Sequence, residues 1–195
     1  MPRVSQEYRE KRQRQILDAA TICFARNGFH ATSMPDIFAE SGLSSGAVYR
    51  YFTGKQAIIE ALLDSTMQPV LRGLRDAAEA EPPLTVPEIL DVIHREMVTV
   101  PDADAATSLI VQFWAESMRV PHLQVSQRRD AAALHDAVLP LLTRLHPGDR
   151  VGSDAAWALI SLSLGTLISQ TVLKTNTVPT GTLVEELRVL LSKST

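Results

Sequence analysis

Apolar side chains recur along this chain at intervals of three and four, and no β-branched run alternates between hairpin turns. The pattern predicts helices throughout and no sheet. A first helix is expected from about Ser5 to Arg26. Ile16, Ala19, Ala20, Cys23 and Phe24 form its apolar stripe, and Asn27-Gly28 supplies a left-handed stop. Ser33 is placed to cap a second helix, with Asp36 near the positive end of its dipole and Pro35 in the first turn, where amides have no intrahelical partner. Ser41-Gly42-Leu43 makes a turn, and Ser44 caps a third helix that ends near Phe52. Thr53 and Gln56 have the capping-box spacing for a fourth helix, which runs to about Ala80 and is kinked or broken by Pro69. Beyond the connector Glu81-Pro82-Pro83, helices are expected at about 86–99, 103–119, 122–145 (kinked at Pro140), 153–174 and 183–191. Pro101, Pro121 and the His146-Pro147-Gly148-Asp149 loop separate them.

One of these segments, Ala155–Leu173, has no charged residue and is about long enough to cross a bilayer. Its serines, threonines, glycine and glutamine make it a poor span. The expectation is a helix buried by protein on nearly all sides, with small residues that permit close contact, including contact between subunits.

At 195 residues the chain can bury a core without staples, as one or two domains. Its single cysteine, Cys23, excludes an intramolecular disulfide, and its start has no apolar secretory signal; a cytoplasmic location is expected. Charge changes the picture further. Through Lys55, eight basic residues face five acidic ones, a net +3; the remainder holds eleven basic and seventeen acidic, a net −6. A positive end on an acidic body suggests that only the front meets a polyanion. Aromatics divide at the same place: after Phe52 only Phe113, Trp114 and Trp157 remain.

The stretch Ala31–Gln56 fits a helix-turn-helix. Gly42 suits the turn, and Val48 and Phe52, four apart, anchor the third helix to its core. Ser45, Gly46 and Ala47 leave its leading face uncluttered, so its backbone can approach base edges. Thr32, Ser33 and Lys55 stand beside helix starts, where hydroxyls, amides and charge suit phosphate oxygens. From Arg14 to Leu62 the chain resembles the TetR family of bacterial transcriptional repressors. The matching residues include Ile16-Leu17-Asp18-Ala19-Ala20, Phe24, Asn27-Gly28-Phe29, Ala31-Thr32-Ser33-Met34, Asp36-Ile37, Ser41-Gly42-Leu43-Ser44, Gly46, Val48-Tyr49, Tyr51-Phe52 and Lys55. The resemblance implies that Thr32, Ser33, Tyr49 and Lys55 hold the phosphate backbone. It places Ser44, Ser45, Gly46, Ala47, Arg50 and Tyr51 on or near the helix in the major groove. Pro35 and Phe38 depart from the family pattern, leaving only apolar contact at the first and a repacked core at the second. Arg3, Arg9 and Arg12 form either an arm that reaches the DNA or a solvated end.

The resemblance also implies an all-α fold of about nine helices. A three-helix helix-turn-helix domain spans residues 1–55, and a larger helical effector-binding and dimerisation domain spans 56–195. Effector-binding candidates at helical spacing are Ile93, Met97, Ile110, Phe113, Trp114, Met118 and Trp157, with His94, Gln112 and Ser117 for polar specificity. The expected effector is small, uncharged and mostly apolar. Leu159, Leu162, Thr166 and Ser169, with Leu183, Leu187 and Leu190 on the final helix, are expected to form the seam of a homodimer that binds a two-fold symmetric operator. The alternatives are a DNA-binding dimer without an effector and a helical enzyme. Gly42-Leu43-Ser44-Ser45-Gly46 fits G-x-S-x-G but lacks the strand a nucleophile elbow needs. The five histidines show no paired metal spacing, and no glycine-rich phosphate loop is present. No enzyme activity, metal or cofactor is expected.

Overall fold

A computed structural model describes residues 5–97, 103–145, 147 and 151–173. Among them there are eight helices and no strand: α1 (Gln6–Ala31), α2 (Met34–Ser41), α3 (Ser45–Tyr49), α4 (Lys55–Ala78), α5 (Val86–Met97), α6 (Ala103–Ser117), α7 (Pro121–Leu145) and α8 (Ser153–Leu173). The expected ninth helix, with Leu183, Leu187 and Leu190, lies outside the described residues, as does Arg3.

The helix starts follow local chemistry. The Ser5 hydroxyl accepts the Tyr8 amide, Ser44 accepts that of Ala47, and Ser33 with Asp36 forms a reciprocal capping box. The cap expected from Thr53 and Gln56 does not form. Extended Gly54 takes the N-cap position without a side-chain bond, so α4 begins one residue later than that spacing requires, and Gln56 instead reaches Glu60. The end of α1 also differs from a left-handed stop. Gly28 takes φ 80°, ψ 165°, an extended mirror-image conformation open to glycine, and one further helical turn follows to Ala31. Pro69 and Pro140 lie inside continuous helices rather than at their ends.

Two apolar clusters organise the molecule. The first joins Ile16, Ala20, Cys23 and Phe24 of α1 to Ile37, Val48, Phe52 and Ile58, and also takes in Phe113 of α6 and Leu123 of α7. The second is built from Val70 and Leu74 of α4, Ile89, Leu90 and Ile93 of α5, Leu134, Val138 and Leu141 of α7, and Ala156, Leu159 and Leu167 of α8. Helix α4 runs through both. Its end and the turn beyond it are met by Arg144 of α7, whose guanidinium donates to Ala78 O and Ala80 O and pairs with Glu81.

Helix α8 is largely uncovered by its own chain, with 22% of its most apolar window buried, and it corrects one expectation. Its inward stripe is Ala156, Leu159, Ser163 and Leu167, so Leu159 belongs to the chain's own core and not to an outer seam. Leu162 and Thr166 flank that stripe half-buried, with the Thr166 hydroxyl turned onto Leu162 O, while Ser169 faces outward. The outward face carries Ala158, Ser161, Gly165, Ser169 and Val172.

Candidate nucleic-acid interface and ligand cavity

The leading face of α3 is open. Val48 is fully buried and Phe52 nearly so, fixing the helix to the first cluster. Ser44, Ser45, Gly46, Tyr49 and Arg50 are exposed, and Ala47 and Tyr51 are half-buried. A Cβ built at Gly46 would meet nothing, so backbone and small side chains bound this surface. Tyr49 is 51% exposed and packs edge-on against Phe38 at 5.6 Å between ring centroids. The bulk of Phe38 is thus spent on steering the tyrosine.

Beside α3 lies an open groove lined by Tyr8, Arg9 and Arg12 of α1 and by Leu43, Ala47, Arg50 and Tyr51. The two α1 arginines therefore sit on a helix, not on a loose arm. Arg12 stacks over the Tyr8 ring at 5.0 Å, donates to the Tyr8 hydroxyl, and bonds Gln15 Oε1 at 2.6 Å; Gln15 in turn donates to Ser41 O at 2.7 Å. This chain of contacts fixes basic charge next to the turn that presents α3. Sequence reading missed Tyr8 and Gln15, whose partners lie up to twenty-six residues away.

Two expected phosphate contacts have internal duties. Thr32 is 1% exposed, and its hydroxyl lies 3.1 Å from Cys23 O and 2.8 Å from Gly28 O. It latches the α1 end instead of presenting a free hydroxyl. The Lys55 ammonium lies 2.6, 3.4 and 2.9 Å from the carbonyls of Phe29, His30 and Thr32, at the end of α1, where last-turn carbonyls have no intrahelical partner. A phosphate at Lys55 competes with these acceptors. Ser33 remains exposed, with its hydroxyl donated to Asp36 at 2.6 Å. That bond, with the Ser33 amide, holds the Asp36 carboxyl below its ordinary range.

Between the clusters lies a mostly apolar cavity of about 160 Å³. Of the sequence-derived candidates, Ile93, Met97, Ile110, Phe113 and Trp114 line it. Met118, 79% exposed, does not, and Trp157 instead stacks on His135 at 4.8 Å on the surface. Spacing gives a residue's helical face but not which neighbour covers it. His94 stands behind the wall and bonds Ser163 O at 3.0 Å; Ser117 stands there too and donates to Gln127 Oε1 at 2.5 Å. Gln112 lies on the opposite side of α6, where its amide accepts from Phe29 N at 3.0 Å and donates to Phe24 O at 3.3 Å. Wall residues that the sequence reading missed include Thr21 and Phe29 of α1, Ile59, Leu62, Leu63 and Met67 of α4, Gln127, Asp130 and Leu134 of α7, and Ser163 of α8. Among the described residues no cluster of metal-ligating side chains occurs.

Two family models match the chain. One describes bacterial regulatory proteins of the tetR family and covers residues 16–62; the other describes the BetI-type transcriptional repressor C-terminal region and covers residues 88–191. Among curated proteins, the chain is 32% identical over 126 residues to YfiR of Bacillus subtilis, an uncharacterized HTH-type transcriptional regulator; the match covers 63% of this chain and 62% of that one. It is 30% identical over 110 residues to the HTH-type transcriptional regulator UidR of Escherichia coli K12, covering 56% and 53%. These matches span less than two thirds of either relative's length. Among solved structures, Salmonella enterica GusR aligns with a TM-score of 0.74 at 27% identity, covering 95% of this chain and 96% of that one.

Proposed function

This chain belongs to the TetR family and is a DNA-binding transcriptional regulator, and from that premise we propose that it is a cytoplasmic homodimeric repressor released from a two-fold symmetric operator by a small, mostly apolar effector. One observation carries the DNA-binding part of this reading. The exposed front of α3, from Ser44 to Arg50, adjoins a groove lined by three arginines, while Val48 and Phe52 anchor the helix from behind. In this reading α3 enters the major groove, Arg50 and Tyr51 reach base edges or phosphates, and Tyr49 and Ser33 hold the backbone. Residues 1–55 act as the reading head and 56–195 as the regulatory and dimerising part. The outward face of α8 meets its copy through Ala158, Ser161, Gly165 and Ser169, whose small side chains permit close helix approach.

The cavity supports a route for release. Ile59, Leu62, Leu63 and Met67 of α4 line it, and the same helix begins at Lys55, which ties down the end of α1. Pro69 lacks the amide that would bond Ser65 O, and the Ser65 and Thr66 hydroxyls both turn back onto Leu62 O, so α4 is weakest where it borders the cavity. Helix α6 gives a second route. Phe113 and Trp114 touch the cavity, while Gln112 and Glu116, one turn apart, hold Phe29 N and His30. A ligand that favours one pose of these helices resets the spacing of two heads, by no more than its differential affinity for the two poses.

Genomic footprinting with the purified chain tests the reading. Protection of two-fold symmetric sites with half-sites about one DNA turn apart is expected; absence of sequence-selective protection would overturn it.

A further inference from the structure

Among the described residues, two buried side-chain polar atoms have no partner within the chain: Gln127 Nε2 and Ser163 Oγ. Both residues line the cavity. Ser163 is 2% exposed, and its carbonyl is held by His94 on the far side of the wall. Ser117 Oγ lies 2.5 Å from Gln127 Oε1 and 2.8 Å from Trp114 O, and Gln127 Nε2 is the atom left unpaired at the cavity wall. Buried polar groups are normally paired, because an unpaired one carries its full desolvation cost. Two such atoms line one mostly apolar chamber, and a ligand there could supply the missing partners.

We infer that the cavity selects a neutral, single-ring ligand through a hydrogen-bond acceptor seated between the Gln127 amide and the Ser163 hydroxyl. The inference rests on the ligand-responsive reading above and deepens it. Size sets the ring count: the cavity is about 160 Å³, and an apolar cavity of about 150 Å³ accommodates benzene. Phe29, Leu63, Phe113 and Leu134 supply apolar walls for the ring. Charge sets neutrality. The only ionisable lining side chain among the described residues is Asp130, which Arg129 already holds at 2.9 Å. An anion would meet a like charge and no lining cation, and the Asp130 carboxylate that would draw a cation is already paired with Arg129. The hydroxyl of Ser163 donates to the same acceptor or accepts from a second polar group on the ligand.

The test uses the full chain and four ring compounds of similar size: acetophenone, ethylbenzene, benzoate and phenyltrimethylammonium. Binding is read by calorimetry and by the fluorescence of Trp114 in the wall. Acetophenone is expected to bind about tenfold more tightly than ethylbenzene and more tightly than either ion. Gln127→Met should abolish the preference over ethylbenzene, and Ser163→Ala should reduce it. Ser163→Ala should melt no lower than the parent, since it removes an unpaired buried polar atom; Gln127→Met should melt close to the parent, since the Ser117 hydroxyl that loses Gln127 Oε1 keeps Trp114 O. Equal binding of ethylbenzene, tighter binding of either ion, preference retained in Gln127→Met, or no binding of acetophenone overturns the inference. Operator affinity measured alongside separates the two readings. Acetophenone binding with unchanged operator affinity refutes the regulatory role and leaves this site standing; operator release by ligands that show no acceptor preference does the reverse.

Discussion

Arg50 and Lys55 are two basic residues of the same small unit with opposite surroundings. Arg50 is exposed on the groove, whereas the Lys55 ammonium is held by three carbonyls. Arg50→Ala is expected to flatten the salt dependence of operator binding by about one unit in the log–log slope, the signature of one lost phosphate neutralisation. Lys55→Ala should instead cost about 1–2 kcal/mol of stability, because it strands carbonyls that a charged donor now satisfies. Its salt slope should change by much less than one unit. Fluorescence anisotropy across a salt series, with thermal melts of both variants, checks the pair. The sequence placed Lys55 beside a helix start, and the family resemblance placed Arg50 on or near the third helix. Spacing could not assign the lysine's partners, because those carbonyls, at the end of α1, lie 23 to 26 residues away.

At the scale of the element, capping and turn chemistry were the most legible part of the chain. Ser33 with Asp36, Ser44, and Gly42 at φ 66° all stand where local rules put them. Gly42→Ala should destabilise the protein by about 1 kcal/mol through left-handed strain alone, since a methyl there meets no neighbour; denaturant titration measures this. Asp36 gives a pH prediction. Its hydrogen bonds from Ser33 lower the folded-state pKa, so their contribution is complete above the unfolded carboxylate value and is lost as pH falls through the folded one. Denaturant midpoints between pH 6 and pH 2 should therefore fall less steeply in Asp36→Asn than in the parent. Glu88, lowered by Thr85 in the same way at the start of α5, adds to the parent's acid loss and remains in the variant. The missing Thr53–Gln56 box shows the limit of such rules. A one-residue shift in where the chain turns helical removes the geometry while leaving the sequence spacing intact.

Over the whole molecule, the informative mismatch is α8, an apolar helix largely uncovered by its own chain. Gly165 stands on its outward face with open space around it. Gly165→Arg should leave the fold and melting behaviour of the single chain nearly intact while blocking close approach of a second copy. Light scattering is expected to show a dimer for the parent and a monomer for the variant, with the variant's operator affinity reduced at least tenfold as paired half-site binding is lost. A dimeric variant, or a monomeric parent at micromolar concentration, would count against the seam. The first apolar cluster reaches into α6 and α7 through Phe113 and Leu123, so reading head and larger body share packed side chains. Composition alone had divided them cleanly near Lys55.

The sequence by itself determined what depends on neighbours within a few residues: helix identity, most boundaries, the glycine turn, the inward Val48 and Phe52, and the outward front of α3. These follow from helical periodicity and from backbone groups that must be satisfied locally. Tertiary structure alone decided which side of each long helix was covered and by what. It turned Leu159 inward, left Met118 and Trp157 outside the cavity, put Gln127 of α7 and Ser163 of α8 on the wall of one cavity, and engaged Thr32 and Lys55 internally. Partners distant in sequence are chosen by the crossing of helices, and no local spacing encodes that crossing.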